Sequence, residues 1–288
     1  QTTTTLKSGP RSEFRYGLGW DDVRDPALSD VGVTTWVKGG DVSQHHGALL
    51  VAPEQDLAVM VSGAGTGIDS GTLESIGGTI LLQALVDTGA MKKLPKPVSG
   101  MPAVAKADPA KTSQMTGFYL GSGFNAKIIK LNNRTLRLFM YNGNGWTKHA
   151  GRFVLRENGA FWSTETAGTS IYLQRAWGRT YLIMRRIGGT GNYYNYLAAG
   201  QKMRPGRTLP AWQQRVGQKW LMANENPQSV GWALPWMQFS AIPGLSGYLM
   251  AYGTQVGSVP FDAGNSPELG SMFLQVPLAL GRDLYDFS

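Results

Sequence analysis

Cysteine is absent from this chain, and its absence excludes disulfides and thiolate metal sites together. Charge is sparse too: charged residues fill 16% of the 288 positions, whereas hydrophobic residues fill 42%. That balance excludes a disordered polyelectrolyte and describes a folded protein with enough chain for two or three domains. Apolar runs long enough to cross a bilayer are missing, so no membrane span is expected. A basic segment followed by an apolar one is missing from the start, which implies that any signal peptide was removed or lay elsewhere. The lack of cysteine and the low charge fit a bacterial periplasmic or extracellular protein.

Histidine is scarce, with His45, His46 and His149 the three in the chain. Adjacent imidazoles in a strand point to opposite faces and cannot readily share one ion, so no metal and no other cofactor is expected. The net charge of +8 raises the question of nucleic acid. The cations are scattered, however, and the densest group, Lys92-Lys93-Leu94-Pro95-Lys96, lies in linker-like sequence. No basic stripe interleaved with stacking aromatics is present, so the charge reads as a solvated surface and no nucleic-acid partner is expected.

What the chain has in quantity is glycine, at 38 residues, and these together with 15 prolines separate short runs rich in aromatic and β-branched residues. That is the composition of β structure with many turns. After a polar, Thr-rich lead over residues 1–10, Tyr16-Gly17-Leu18-Gly19-Trp20 reads as a strand and 21–29 as a polar loop. Further strands are expected over 33–38, 47–52 and 57–62, the last two joined by a turn at Pro53-Glu54-Gln55-Asp56. Leu57-Ala58-Val59-Met60-Val61 is apolar throughout and predicts a strand buried on both faces. A helix follows, capped by Asp69 or Ser70, closed by Gly89, with Leu73, Ile76, Ile80, Leu81, Ala84 and Leu85 on its apolar face. One helix cannot cover both faces of such a sheet, so the far face needs cover from outside this segment.

Four prolines mark a linker over 92–112. Short runs then recur over 117–119, 126–131, 135–141, 151–156, 160–164, 170–175 and 180–185, punctuated by Asn132-Asn133, Asn142-Gly143, Asn158-Gly159 and Gly178. Strands at that spacing predict a small antiparallel barrel or sandwich. After a second linker over 203–210, a helix is expected over 211–224, then β-like runs over 245–252 and 272–276. The expected domains are therefore 1–91, 113–202 and 211–288.

Trp36-Val37-Lys38-Gly39-Gly40-Asp41 is the stretch that points to chemistry. A strand ending in two glycines leaves backbone N–H groups unshielded, so a substrate can lie along its edge beside the lysine charge. Before it stands Tyr16-Gly17-Leu18-Gly19-Trp20, and after it His46-Gly47-Ala48-Leu49-Leu50-Val51-Ala52-Pro53-Glu54, an apolar strand and a helix. This order, over roughly residues 14–88, resembles the closing part of the catalytic domain in β-lactamase-related serine hydrolases, the class C β-lactamase, esterase and D-aminopeptidase group. Lys38-Gly39-Gly40 matches the family's Lys-Thr-Gly element, with Gly39 in place of Thr.

The resemblance implies an α+β chain: the closing strands and final helix of the catalytic domain, then two β-rich, antiparallel barrel-like domains, the plan of the D-aminopeptidase branch. It implies hydrolysis of a small peptide, amide or ester through a serine acyl-enzyme. Lys38 would support the base electrostatically, the Asp41 backbone N–H would be one oxyanion-hole donor, and Gly39 and Gly40 would line the substrate edge. The loss of the Thr hydroxyl at Gly39 argues against a standard β-lactamase. His45 and His46 are further substrate-binding candidates, positioned to meet a carboxylate. The family's Ser-x-x-Lys nucleophile occurs nowhere in the sequence. The expected partner is therefore an N-terminal polypeptide of the same precursor that carries it and covers the open sheet face.

Other motifs read as structural or fortuitous. Tyr193-Tyr194-Asn195 fits Tyr-x-Asn by letters but follows the lysine motif instead of preceding it, and Thr4-Thr5-Leu6-Lys7 has threonine where serine is needed. Gly63-Ala64-Gly65-Thr66-Gly67 and Gly188-Gly189-Thr190-Gly191 fit no phosphate-binding pattern. Trp212, Trp220, Trp232 and Trp236 read as packing residues. The alternative to a hydrolase is a non-catalytic protein that binds cell-wall peptides or glycans.

Overall fold

The computed structural model describes residues 17–42, 44–98, 100–121, 124–149, 151–176, 178–221, 236–253 and 257–264. The chain forms two compact units: the first takes in residues up to 101 together with 185–197, the second takes in 102–184 and the residues from 198 on. The Thr4-Thr5-Leu6-Lys7 motif, Trp232 and the run over 272–276 lie outside the described residues.

In the first unit, residues 17–20 form a tight bridged turn and not the strand expected there, with Gly17 paired to Trp20. The loop expected next contains a short helix, α1 (Pro26–Ser29), capped by the Asp25 carboxylate and started by a proline whose missing N–H is needed by no partner. Three antiparallel strands follow, β1 (Trp36–Val42), β2 (His45–Ala52) and β3 (Leu57–Ala64). In register, Val37, Leu50 and Val59 lie side by side on one face, and Lys38, Leu49 and Met60 on the other. The helix α2 (Ser70–Asp87) is capped by the Asp69 side chain and ends before Gly89, whose φ of 78° is the left-handed turn that glycine adopts freely.

Helix α2 buries Leu73, Leu81, Leu82 and Leu85 with Val37, Ala48, Leu50 and Ala52. Its buried stripe differs from the expected one. Gly77 and Gly78 lie inside the stripe, while Ile76 and Ile80 are exposed. The reason is close approach: a Cβ on Gly77 would stand 2.6 Å from Leu50 Cδ1. Strand β3 also departs from expectation, alternating half-buried and exposed positions, with Met60 75% exposed. Only its helix-facing side is covered. On the other side Val42 is 72% exposed, and Trp20 lies against Trp36 with ring centroids 5.5 Å apart.

The second unit begins with α3 (Pro109–Met115), capped by Asp108 at the end of the stretch read as a linker. Then come β4 (Gly117–Leu120), β5 (Ala126–Asn132), β6 (Thr135–Tyr141), β7 (Trp146–Lys148), β8 (Phe153–Leu155), β9 (Phe161–Ser163), β10 (Ser170–Ala176), β11 (Arg179–Ile187) and β12 (Tyr194–Met203). Strand order runs β5-β4-β12-β11-β10-β9-β8-β6, and β6 pairs again with β5. An antiparallel barrel of eight strands closes, with β7 added on β6. Its interior is filled by Tyr119, Ile128, Leu136, Leu138, Phe153, Phe161, Ile171 and Leu182.

Where a helix is expected over 211–224, the described residues up to 221 form a shorter one, α4 (Pro210–Arg215), and β13 (Lys219–Leu221). Gly217 at φ 82° turns the chain between them. With β14 (Trp236–Ala241), β15 (Tyr248–Gly253) and β16 (Gly257–Asp262), β13 forms a four-stranded antiparallel sheet. Trp212 packs edge-on against Phe239 and Phe261 in its core, at centroid distances of 5.3 and 4.8 Å. Among the described residues, no helix is long and apolar enough to cross a membrane.

Candidate active site on strand β1

Strand β1 is an edge strand, and the residues before it reach back to that edge. Asp21 N–H and Asp22 N–H both donate to the Val37 carbonyl, at 2.9 and 3.2 Å, and Val37 N–H donates to Asp22 O at 2.7 Å. Val37 therefore directs its N–H and C=O away from β2, and by strand alternation so do Gly39 and Asp41. The Gly39 N–H donates to Asp21 Oδ2 at 2.8 Å, and Lys38 Nζ donates to the same oxygen at 2.8 Å. The Lys38 ammonium also donates to the Gly39 carbonyl. The Asp41 N–H, one step further along, faces the same edge.

Sequence reasoning assigned Gly39 to an unshielded substrate edge. The structure gives its lack of a side chain a second cause. A Cβ on Gly39 would meet Glu74 Oε1 at 2.9 Å, Ser70 Cβ at 3.1 Å and Ser70 Oγ at 3.2 Å, so the first turns of α2 occupy that space. A Cβ on Gly40 would meet nothing within 4 Å. The Asp41 carboxylate is engaged as well. It accepts from Ser70 N–H at 2.9 Å and Ser70 Oγ–H at 2.7 Å, which ties the start of α2 to β1. His46 Nδ1 lies 2.6 Å from Asp41 Oδ1.

The other His46 nitrogen, Nε2, lies 3.0 Å from the Gly65 carbonyl. Both ring nitrogens thus face acceptors, and only the doubly protonated ring satisfies both. The Asp41 hydrogen bond and the Gly65 carbonyl accordingly raise the His46 pKa above 6.5, against the opposing effect of lost hydration. The Ser70 hydroxyl, then His46, hold the Asp41 carboxyl below its ordinary value. His46 is thereby fastened within the protein, and His45, its neighbour, is exposed on the opposite face. The Gly63–Gly67 turn contributes the Gly65 carbonyl to this network.

Sequence did not single out Glu74, Asp21 or Ser70 as site residues; Ser70 entered only as a candidate cap of α2. Glu74 is half-buried below Gly39, and among the described residues no donor reaches its carboxylate. Lost hydration, with Asp25, Asp21, Asp22 and Asp41 nearby, pushes its pKa up to about 7. Burial likewise raises Asp25 to about 6, against the backbone hydrogen bonds from Ala27 and Leu28. The only sequence trace of this group is the pair Asp21-Asp22 directly after the Gly-Leu-Gly-Trp turn.

The Tyr193-Tyr194-Asn195 letters fall near the tip of the β11–β12 hairpin, within the first unit. Tyr193 packs on the same core as α2, and Asn195 is exposed. Among the described residues, no group of three or more His, Asp or Glu side chains could hold a metal ion.

No known protein family matches this chain, and no curated protein matches it. Two solved structures are similar in part. One, SurE with D-Leu, is 13% identical with a TM-score of 0.33, over 70% of this chain and 42% of that one. The other, SurE, is 14% identical with a TM-score of 0.28, over 59% of this chain and 34% of that one.

Proposed function

We propose that this chain supplies one wall of a serine hydrolase active site, in which a substrate amide, peptide or ester lies along the outer edge of β1. The observation that carries the reading is the pairing of a Lys38 ammonium with the outward-facing N–H of Asp41 on one edge strand. A fixed positive charge beside a backbone donor is what a tetrahedral oxyanion requires, and a donor of this type typically contributes about 10²–10³ in rate. Lys38 acts electrostatically on the base and on the developing charge. The Asp41 N–H serves the oxyanion, while its carboxylate holds α2 and His46. Gly40, open on its side, leaves room for the substrate backbone.

The serine nucleophile comes from a polypeptide that carries Ser-x-x-Lys and covers the exposed face around Val42 and Met60. A periplasmic or extracellular setting fits the chain's lack of cysteine. The test is to purify the protein from its source, identify what co-purifies, and label the assembly with a fluorophosphonate. Label is expected on the companion, and Lys38→Ala is expected to cut acyl transfer by about 10²-fold or more while assembly is retained. A stable, unlabelled species of 31.2 kDa alone would overturn the reading and favour a non-catalytic binding protein.

A further inference from the structure

We propose that Asp21 sets the ligand specificity of the β1 edge, because its own carboxylate fills the anion-binding corner formed by the Lys38 ammonium and the Gly39 N–H. One oxygen, Asp21 Oδ2, receives both donors at 2.8 Å. A cationic head and a backbone N–H converging on one oxygen make a charge-assisted anion site. Such a corner would hold the carboxylate of a ligand if it were vacant. Here the occupant is part of the chain and is anchored at its own backbone, since Asp21 N–H and Asp22 N–H are both bonded to Val37. An outside carboxylate must compete with a tethered one, whose effective concentration is of millimolar order or higher.

The surroundings act in the same direction. Asp22, Asp25 and Glu74 lie close by, and the Asp41 carboxylate is bound to Ser70 on the first turn of the helix that carries Glu74. Burial first, and these neighbouring carboxylates after it, raise the pKa of Glu74 to about 7. The protein as a whole is cationic at +8, yet at this corner the Lys38 charge is already paired with Asp21. A ligand on the edge therefore presents a neutral carbonyl or a cationic group at Lys38 and Gly39, and free carboxylates are rejected. As a statement about substrates this rests on the hydrolase reading; the occupied corner itself does not.

The closing experiment reads the corner without any activity. Thermal unfolding of the full chain is followed against sodium acetate, with sodium chloride at matched ionic strength as control, for the wild type, Asp21→Ala and Asp21→Ala/Lys38→Ala. Gly39 amide shifts are recorded alongside. Acetate is expected to stabilise Asp21→Ala saturably and to move its Gly39 amide, with an apparent affinity roughly tenfold or more above the wild type. In the double variant both effects are expected to disappear. Equal acetate dependence in wild type and Asp21→Ala, or a full effect in the double variant, overturns the proposal. Asp21→Ser, whose side chain is too short to reach Lys38, takes the place of Asp21→Ala if that variant does not fold. Failure of fluorophosphonate labelling would leave this result standing.

Discussion

Glu74 illustrates how a single carboxyl couples pH to the candidate site. Its pKa rises from 4.5 to about 7 in the folded chain, so the folded state keeps a proton that the unfolded state gives up. Stability from that difference is fully present below pH 4.5 and is lost as pH rises to about 7. His46, whose pKa is also raised, acts in the same direction above pH 6.5. Glu74→Gln, which cannot ionise, is expected to unfold at a higher urea concentration than wild type at pH 8, and the gap should shrink at pH 5. Urea midpoints at the two pH values check this, and an unchanged pH dependence would remove Glu74 from the account. Lys38 and its glycines were legible as chemistry from order along the chain. Asp21, Ser70 and Glu74 were not, because each matters only through folding: Asp21 lies 17 residues from Lys38, and Ser70 lies 29 from Asp41.

Among elements, α2 and the β11–β12 hairpin share the most informative contact. Gly189 at the hairpin tip sits so close to α2 that an added Cβ would stand 1.8 Å from Ser75 Oγ, and Thr190 lies over Gly78. Asn192 Nδ2 donates to the Ala27 carbonyl at 2.8 Å, and Val98 N–H donates to Gly191 O at 2.8 Å. Gly189→Val is expected to destabilise the protein by about 1–3 kcal/mol, measured by urea unfolding, because it must push the tip off the helix. A change below about 0.5 kcal/mol would argue that the tip is loosely held. Sequence gave the limits of α2 well, since Asp69 and Gly89 are local signals. It gave the wrong stripe, because hydropathy credits Ile76 and Ile80 and cannot credit a glycine for the neighbour it admits. Most barrel strands were legible from their turns. Strand β12 was not: its Ala198-Ala199-Gly200 run has little β propensity, and it is small because Gly200 passes about as near β4 as backbone allows, with a Cβ only 3.2 Å from Leu120.

At the scale of the whole molecule, the first unit has one sheet face turned to solvent. Met60 is 75% and Val42 72% exposed there, on two edge strands of a three-stranded sheet. Met60→Lys is expected to leave the stability of this chain within about 0.5 kcal/mol of wild type, as for other exposed sites. The same substitution is expected to weaken retention of the companion polypeptide in co-purification. Undiminished retention would mean that the companion is held elsewhere or does not exist. The sequence-based expectation of an uncovered face rested on β3 being apolar throughout. The structure reaches the openness by another route, since β3 covers only one of its sides.

The membership of residues 185–197 in the first unit has a consequence for biosynthesis. A chain emerging from the ribosome has made everything else in that unit by residue 101, but Tyr193, which packs on its core, and Asn192, which holds α1, come almost a hundred residues later. The unit begun first is thus finished only at residue 197, and it waits without its last segment while most of the barrel is translated. Slowing translation within the barrel would lengthen that wait and expose the nascent chain to proteases, whereas the finished protein would be unchanged.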